Sequence, residues 1–355
     1  MSKHTMLHEQ HVRLGGKMVD FAGWDMPLHY GSQIQEHHVV RNHAGVFDVS
    51  HMTVIDVSGQ QATQWLQHII ANDVGVLKPD QAQYGLLLNT NAGIIDDLIV
   101  YKRTSDYRLI VNAGTREKVL AWFEQQRGTF EVSWKLRSSM AIIAVQGPQA
   151  ISLVKEATGF DGAAMSPFSF LESSNGCMYA RTGYTGESGL EMVLPDHDVL
   201  ELWQNLLRVG VKPVGLAARD TLRLEAGMSL SGQDMDETTH PLESALGWTI
   251  AWQPESRTFI GREALNAIRN SGSALKLCGV VLQGRGVLRH GQKIVSDAGE
   301  GIITSGIYSP TLEYSIGLAR VPKTIESDCH VEIRGKQLAV KIVKPPFVRN
   351  GKKVF

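Results

Sequence analysis

From about residue 274 onward, short apolar segments alternate with turn-forming residues at regular intervals. Six of these segments have the length and composition of strands: residues 277–282, 293–296, 301–308, 315–320, 330–333 and 337–343. Evenly spaced short strands joined by tight turns are typical of a small barrel or a sandwich. The pattern therefore predicts a separate all-β unit over residues 274–355.

Mixed strand and helix patterns fill the chain before this unit. Between residues 46 and 145 they predict strands at 54–57, 94–101, 107–111, 130–136 and 141–145, and helices at 60–70 and 115–126, the second with Thr115 as N-cap. Between residues 147 and 250 they predict helices at 148–155, 199–209 and 217–226, and strands at 178–181 and 190–194. Helices interspersed among hairpin-connected strands favour α+β layers over one long parallel sheet. Residues 253–270, with a charged helical pattern, are expected to be a connector.

Length and charge narrow the class of protein. A chain of 355 residues exceeds one ordinary core, and three domains are expected. Lys and Arg number 35 and Asp and Glu 36, so the basic surplus of general nucleic-acid binders is missing and no nucleic-acid partner is expected. No apolar run approaches the ~20 residues that span a bilayer. Three widely spaced cysteines and an N-terminal stretch without a signal-peptide core then indicate no membrane association and a cytoplasmic location.

Motifs for phosphate or metal chemistry are absent from the sequence. No GxxxxGK[ST] loop, no GxGxxG after a strand and no HExxH occurs. The adjacent pair His37 and His38 does not suit a metal, because neighbouring side chains on a helix point about 100° apart. No metal site is expected. The chemistry then has to use carboxylates, backbone turns and a cofactor that the protein binds.

Two adjacent carboxylates enter an apolar strand in the segment GIIDDLIVY, residues 93–101. Alternation along a strand sends Asp96 and Asp97 to opposite faces, so that one faces a cleft while the other caps a turn or faces water. An equally local interpretation is that both aspartates only end a turn, because Asp favours turns. Local pattern alone favours the turn interpretation.

A glycine-rich segment, RTGYTGESGLE at residues 181–191, suits either a tight hairpin or a close approach of the backbone to a ligand. Tyr184 offers a flat ring, and Glu191 lies in an otherwise apolar strand. A carboxylate there can accept two parallel N–H bonds from an aminopyrimidine-like ring edge. The alternative is a hairpin with a solvent-facing glutamate.

The helical segment GLAARDTLRLE, residues 215–225, also has two interpretations. Asp220 and Arg223 are three residues apart, so ion pairs along a helix face account for Asp220 and for Glu225. Arg219, near the helix start, suits an anionic ligand instead, because its planar guanidinium matches a carboxylate.

In their order along the chain, these segments resemble successive blocks of the glycine cleavage T-protein family. The blocks are GIIDDLIVY, AVQGPQA, RTGYTGESGLE, GLAARDTLRLEAGM, SGQDMDE, GIITSGIYSPTLEYSIGLARV and KPPFVRNGK, together with the long stretch from MVDFAGW to FDVSHM. The resemblance covers residues 6–352, and its blocks are long and specific.

The resemblance implies a three-domain, cloverleaf-like α+β fold with tetrahydrofolate in a central cavity. Residues 1–50 and 147–250 are then a discontinuous folate-binding domain, residues 51–146 an inserted domain, residues 251–273 a connector, and residues 274–355 a small β-barrel. The implied activity is that of an aminomethyltransferase. It takes the one-carbon unit from the aminomethyl-dihydrolipoyl arm of lipoylated H-protein, releases ammonia and forms 5,10-methylenetetrahydrofolate, in a system with P- and L-proteins.

The resemblance also assigns roles to residues. Asp97 matches the key family aspartate and is expected to orient the folate N5 and to stabilise cationic charge during transfer. Glu191 matches a glutamate that clamps the pterin edge, with Tyr184 beside it. The remaining expected folate contacts are Met52, Tyr84, Asn112 and Arg219, with Arg349 as a candidate for the anionic glutamate tail.

Two other functions stay open at this point. Related folate-fold proteins demethylate other donors, and a non-catalytic folate-binding accessory class serves iron–sulfur assembly. The accessory class carries Lys-Gly-Cys-Tyr-x-Gly-Gln-Glu, whereas residues 228–234 here contain no cysteine, and with the retained Asp97 this favours the enzyme. Ser231 and Ala217 depart from the family pattern, which often has Tyr and Gly there, and this concerns local packing more than chemistry.

Overall fold

The computed structural model describes residues 2–325 and 329–355. Its helices are α1 (His8–Arg13), α2 (Gln33–Asn42), α3 (Ala62–Ile69), α4 (Arg116–Gln126), α5 (Ala150–Thr158), α6 (Val199–Arg208), α7 (Leu216–Glu225) and α8 (Arg262–Ser271). Its strands are β1 (Lys17–Phe21), β2 (Trp24–His29), β3 (Gly45–Asp48), β4 (Thr53–Ser58), β5 (Gln81–Leu88), β6 (Ile94–Lys102), β7 (Tyr107–Val111), β8 (Ser133–Leu136), β9 (Met140–Gln146), β10 (Phe170–Glu172), β11 (Met178–Ala180), β12 (Gly189–Pro195), β13 (Lys212–Pro213), β14 (Leu275–Leu282), β15 (Lys293–Ser296), β16 (Gly299–Ser309), β17 (Tyr314–Pro322), β18 (Cys329–Ile333), β19 (Lys336–Val343), β20 (Val348–Arg349) and β21 (Lys352–Lys353). Within the described part of the chain, no helix is long and apolar enough to cross a lipid bilayer.

The C-terminal unit is a closed barrel of six strands in the order β14–β17–β16–β15–β18–β19. Each strand pairs antiparallel with its neighbours, so closure leaves no open sheet edge. Val280, Ile294 and Ile303 are among the fully buried side chains that fill its interior. The barrel strands coincide with the six expected segments, and the barrel, rather than a sandwich, is the arrangement they adopt.

A six-stranded sheet in the order β10–β11–β12–β9–β3–β13 draws its strands from distant parts of the chain. Along β12, Leu190, Met192 and Leu194 are buried in one apolar cluster with side chains of α5 and α6. Glu191 and Val193 alternate with them and therefore point to the other face. Helices thus close one face of this sheet, and the face that carries Glu191 meets a different partner.

That partner is a five-stranded antiparallel sheet in the order β5–β6–β7–β4–β8. Leu98 and Val100 of β6 pack in a cluster with α3 and α4. Tyr101 lies on the opposite face, as alternation requires. Asp97 is four residues before Tyr101 in the same strand and therefore lies on the same face as Tyr101. The face with Asp97 is therefore turned away from α3 and α4.

One apolar cluster joins the two sheets. It contains Phe47, Ile142, Ala144 and Val193 from the six-stranded sheet, Val54, Ala82, Tyr101 and Ile110 from the five-stranded sheet, and Ala218 and Leu222 from α7. Burying these side chains excludes water from the centre of the contact. Asp97 and Glu191 therefore lie on the two sheet faces that this cluster joins.

Strand β9 belongs to the six-stranded sheet and not to the inserted unit in which it was expected. Residues 51–146 were expected to form the inserted unit, but β9 hydrogen-bonds along β3 and β12 of the six-stranded sheet. The five-stranded sheet ends with β8. A local apolar pattern predicts a strand without specifying its partners, which here lie far away in sequence. We therefore propose that the inserted unit ends near residue 139.

The connector expected at residues 251–273 packs on the five-stranded unit. Arg257 donates to the carbonyl oxygens of Gln67, Ile70 and Asn72 at 2.9, 2.7 and 2.9 Å, around the C-terminal end of α3. A cation at this end of a helix satisfies carbonyl groups that have no partner within the helix. The connector is therefore fixed by hydrogen bonds and includes α8, the charged helix expected there.

Candidate functional site

A narrow cavity beside the six-stranded sheet contains several of the polar residues of interest. It is lined by Phe47, Val49, Ala144, Gln146, Tyr184, Thr185, Glu191 and Arg219. The apolar members come from the six-stranded sheet and its continuation, while Arg219 comes from the first turn of α7. Such a space, apolar with a few convergent polar groups, is the usual form of a small-molecule site.

Asp97 and Asp96 share the amide of Asn112. Asn112 Nδ2 donates to Asp96 Oδ1 and to Asp97 Oδ1, each at 2.8 Å. Tyr84 Oη donates to the other oxygen of Asp97, Oδ2, at 2.9 Å. Asp96 is fully buried, whereas Asp97 is half-buried. Asp97 is therefore held in a fixed orientation and still reaches the surface of the sheet.

Asp96 anchors the turn that leads into α4. It accepts from Thr115 Oγ1 at 2.7 Å, from the Asn112 N–H at 3.3 Å and from Ser231 Oγ at 3.3 Å. Asp96 therefore binds the turn before α4, as one of the two interpretations expected, whereas a cleft in front of Asp97 stays a prediction. The alternative, that both only end a turn, is wrong because both lie inside β6. Thr115 makes no side-chain cap for α4, since its hydroxyl donates to Asp96 instead.

Burial, together with repulsion from Asp96, raises the pKa of Asp97 to about 7. Burial also raises the pKa of Asp96, against hydrogen bonds from Thr115 and Asn112 that favour its charged form. Because Asp96 receives more donors, we assign the titration near neutrality to Asp97. A carboxyl group that titrates near pH 7 is suited to taking up and releasing a proton.

Tyr84 connects Asp97 to an exposed aromatic surface. Its ring stacks on Trp248 with 5.8 Å between ring centroids and 21° between planes. Trp248 is 69% exposed. Burial and the neighbouring Asp97 raise the pKa of Tyr84 well above its ordinary value, so the phenol stays protonated and acts as a donor. The stack provides a flat apolar wall beside Asp97.

Glu191 lines the cavity beside the six-stranded sheet. Thr182 Oγ1 donates to Glu191 Oε2 at 2.5 Å, and within the described chain no other group hydrogen-bonds to this carboxylate. Burial raises the pKa of Glu191, while Thr182 and Arg219 oppose the rise. The alternative of a solvent-facing glutamate is therefore wrong, and one carboxylate oxygen remains for a ligand.

The glycines of the segment 181–191 accommodate a buried glutamine. A Cβ at Gly183 would lie 2.1 Å from Gln146 Oε1, and a Cβ at Gly189 would lie 2.4 Å from Gln146 Nε2. Gln146 donates to Thr182 O at 3.1 Å and accepts from Thr185 Oγ1 at 2.9 Å. Gln146 was not among the expected site residues. A polar residue at the end of an apolar strand could nevertheless have indicated a buried hydrogen-bonding role.

Arg219 stacks on Tyr184, with its guanidinium carbon 4.5 Å from the ring centroid. Within the described residues the guanidinium makes no hydrogen bond or ion pair, so its N–H groups are available to an anion. Tyr184 Oη donates to Ser229 O at 2.6 Å. Burial raises the pKa of Tyr184, with smaller effects from Arg219 and Asp97. Tyr184 thus lies within electrostatic range of Arg219 on α7 and of Asp97 on β6.

The remaining expected contacts lie around this group. Met52 is half-buried against the cluster that joins the sheets. Asn112 binds both aspartates, as described above. Arg349 is exposed on β20, and the next residue, Asn350, donates its N–H to Gly186 O at 3.3 Å. Arg349 is therefore a surface residue beside the glycine-rich loop.

His51 is a buried neighbour of the site that sequence reasoning did not single out. Its side chain is nearly inaccessible, and within the described residues its Nδ1 has no hydrogen-bond partner. Burial and the charge of Arg219 lower its pKa to about 3. The imidazole is therefore neutral near pH 7 and adds no charge beside Arg219.

A buried ion pair fixes α7 to the barrel. Arg223 donates from Nη1 to Asp234 Oδ2 at 2.7 Å and from Nη2 to Ser305 Oγ at 2.9 Å. Its Nε donates to Asp220 Oδ1 at 2.8 Å, the pairing along the helix that was expected. Since Arg219 is on the same helix, this contact helps to hold the cavity wall in place.

Glu225 departs from the expected pairing along the helix face. It is fully buried and accepts from Arg41 Nη2 at 2.7 Å, from Thr311 Oγ1 at 2.8 Å and from Ser309. His37 is buried beside it and hydrogen-bonds to Thr311 at 2.9 Å. The partners of Glu225 lie on α2 and on the barrel, so local spacing did not indicate them.

Comparisons with known proteins point to the same family along nearly the whole chain. Residues 7–254 match the family model described as the GCVT N-terminal domain, and residues 276–349 match the glycine cleavage T-protein C-terminal barrel domain. Curated relatives named aminomethyltransferase, from Chromobacterium violaceum and Pseudomonas syringae pv. tomato, are 53% and 52% identical, each over 99% of both chains. The crystal structure of glycine cleavage system aminomethyltransferase T from Bartonella henselae aligns with a TM-score of 0.93 at 35% identity, covering 99% of each chain. The expected α+β fold with a C-terminal barrel is confirmed.

Proposed function

Since this chain belongs to the glycine cleavage T-protein family and is an aminomethyltransferase, we propose that it transfers the one-carbon unit of aminomethyl-dihydrolipoyl H-protein to tetrahydrofolate. The products are 5,10-methylenetetrahydrofolate, ammonia and the free dihydrolipoyl arm. The proposal rests on two groups: Asp97, fixed by two donors on the five-stranded sheet, and the cavity lined by Glu191, Tyr184 and Arg219, of which Tyr184 lies within electrostatic range of Asp97.

The facing groups suit the chemistry of a reduced folate. The pterin edge presents N–H donors, and the carboxylate of Glu191 offers an oxygen that accepts them. The ring of Tyr184, stacked on Arg219, supplies a flat surface for the bicyclic ring. Arg219, and on the surface Arg349, are the cations for the anionic end of the molecule.

The transfer balances without an oxidant or reductant. Two C–N bonds form between the carbon and N5 and N10 of the folate, while the C–S bond to the lipoyl arm and the C–N bond to the amine break. The two protons lost from N5 and N10 equal those gained by the sulfur and by the departing ammonia. What the protein must supply is orientation, exclusion of water and a nearby group that handles a proton.

Asp97 is the group we assign to that task. Its two donors, Tyr84 and Asn112, fix the carboxylate, so it holds the folate nitrogens in one orientation. Its negative charge stabilises the cationic, iminium-like carbon during transfer. Its pKa of about 7 lets it take a proton from nitrogen and release it near neutral pH.

The partners and the location follow from the family and stay proposals. We propose lipoylated H-protein as the donor, with the P- and L-proteins acting in the same glycine-degrading system. A cytoplasmic location also stays a prediction. We propose no metal ion in the transfer step, because each step above is accounted for by side chains and the folate itself.

The pH dependence of kcat/KM is expected to show an acid limb near pH 7. Below this pH Asp97 is protonated and loses the charge that stabilises the cationic carbon, so the rate falls about tenfold per pH unit. Tyr84 donates to Asp97 and lowers its pKa, so Tyr84→Phe should move the limb to higher pH. Initial rates from pH 5.5 to 8.5 test both points. A flat profile, or a limb that moves to lower pH in the variant, would contradict the assignment to Asp97.

Replacement of Glu191 by Gln is expected to weaken tetrahydrofolate binding about 10- to 100-fold. The neutral amide loses the charge-assisted hydrogen bonds that a carboxylate makes, which contribute about 1.5–3 kcal/mol. Anaerobic titration calorimetry with tetrahydrofolate measures the change. Glu156→Gln is the matched control, because Glu156 is exposed on α5, behind the six-stranded sheet. Equal affinities for the two variants would remove Glu191 from the folate site.

The function is tested by incubating purified protein with tetrahydrofolate and aminomethylated lipoyl H-protein. Ammonia and 5,10-methylenetetrahydrofolate are expected in equal amounts, and neither should form when H-protein lacks its lipoyl group. Tetrahydrofolate binding without either product would contradict the proposed donor and direct the search to other one-carbon donors.

A further inference from the structure

His4, His8 and Asp25 form a cluster that takes no part in the site between the sheets. One possible ligand atom of each residue lies within 4.8 Å of the others. The two imidazole rings stack with 3.7 Å between centroids, and His8 Nε2 lies 2.8 Å from Asp25 Oδ2. His4 is exposed, and the side chains of His8 and Asp25 are 20% and 29% exposed, so an ion can reach all three.

The backbone holds these residues together without help from a ligand. Lys3, next to His4, donates its N–H to Gly23 O at 2.8 Å and accepts from the Asp25 N–H at 2.9 Å. The segment before α1 is thereby paired with β2, which carries Asp25. His8 is the first residue of α1, and its N–H donates to Thr5 O at 3.2 Å. The backbone segments that carry the three ligands are therefore ordered before an ion binds, and binding requires only side-chain rotation.

We propose that this cluster binds one Zn²⁺ ion. Two imidazole nitrogens and one carboxylate oxygen are a common ligand set for zinc, and a water molecule completes the tetrahedron. Ligands about 2.0–2.1 Å from a tetrahedral ion lie about 3.3 Å apart, so the three donors, which lie within 4.8 Å of one another, have to move closer together. The ion takes the position of the hydrogen that His8 and Asp25 share, which requires rotation of the stacked rings toward one point.

No metal site was expected from the sequence, because it contains no known zinc motif and the adjacent His37 and His38 do not suit a metal. His4 and His8 are separated from Asp25 by the α1 segment and the β1–β2 hairpin, so the three do not form a recognisable motif. A bound ion links the N-terminal segment to β2, whose residues Met26 and Pro27 line a crevice beside Arg219. This site stands on its own geometry and does not rest on the proposed function.

Calorimetric titration of the full chain with zinc chloride tests the proposal, with one Zn²⁺ expected per chain. His4→Ala and Asp25→Asn should each weaken binding by at least about tenfold. His4 is exposed, so its replacement should leave the fold intact, as checked by circular dichroism. His197→Ala is the matched control, because His197 lies 3.4 Å from Asp198 in an exposed pair, and no change is expected there.

A spectroscopic readout separates this site from loose surface binding. Co²⁺ at a three-ligand tetrahedral site gives intense visible absorption, which should appear in the parent chain and vanish in the His4→Ala variant. Zinc binding of the same strength in His4→Ala, no binding in the parent chain, or only the weak spectrum of hydrated Co²⁺ would each overturn the proposal.

Discussion

Replacement of Asp97 by Asn is expected to lower kcat about 100- to 10,000-fold. Asn has the same size, so the contacts with Tyr84 and Asn112 change little in geometry. It has no charge to stabilise the cationic carbon and no proton to exchange near pH 7, where the pKa of Asp97 lies. Single-turnover formation of 5,10-methylenetetrahydrofolate measures the chemical step directly. Near-normal turnover would exclude Asp97 from catalysis.

Stability supplies the control for this variant. Burial and the charge of Asp96 raise the pKa of Asp97 from its ordinary value of about 4, so the folded chain binds more protons than the unfolded chain between pH 4 and 7. The contribution of Asp97 to the free energy of unfolding therefore falls as pH rises through this window. An uncharged side chain at this position does not lose stability as the pH rises, so Asp97→Asn should be at least as stable as the parent at pH 8. A large drop in melting temperature would mean that lost activity reflects lost structure.

Replacement of Asp234 by Ala is expected to lower the free energy of unfolding by about 3–5 kcal/mol. Asp234 is fully buried and accepts from Arg223, Ser305 and the Leu230 N–H at 2.7, 2.8 and 2.9 Å. Its removal leaves the buried guanidinium of Arg223 without its main partner, and an uncompensated buried charge is costly. Urea unfolding followed by tryptophan fluorescence measures the effect.

The same arginine offers a matched control on its exposed side. Asp220 also binds Arg223, at 2.8 Å, but its side chain is 45% exposed. Asp220→Ala should cost less than about 1 kcal/mol, because water screens exposed ion pairs. In the double variant Asp234→Ala with Arg223→Met, part of the loss should return, since no charge is then left buried. Equal losses in the free energy of unfolding for Asp234→Ala and Asp220→Ala would contradict a stabilising role for the buried Arg223–Asp234 ion pair.

Local periodicity accounts for much of the fold. The six barrel strands follow from short apolar segments and turn residues, and α3, α4 and α6 follow from helical spacing. Alternation along β12 and β6 also accounts for the faces on which Glu191 and Asp97 lie. Patterns were weaker at the N-terminal end, where α1, α2 and strands β1 to β3 were missed.

The candidate site was only partly predictable from the chain. The family resemblance named Asp97, Glu191, Tyr184 and Arg219, and the structure brings them around the contact between the sheets. It did not name Gln146, which organises the glycine-rich loop. Local pattern also left open whether the paired aspartates and the glutamate faced a cleft, a turn or water.

By itself, the sequence determined the barrel strands, most of the longer helices, the alternation of faces along β6 and β12, and the family to which the chain belongs. Only the tertiary structure decided that β9 joins β3 and β12, that Glu225 is buried against Arg41, 184 residues away, and that His4 meets Asp25. The reason is physical. Periodicity records how neighbouring residues share one surface, whereas a strand's partner and a buried charge's donor are set by contacts between segments far apart in the chain.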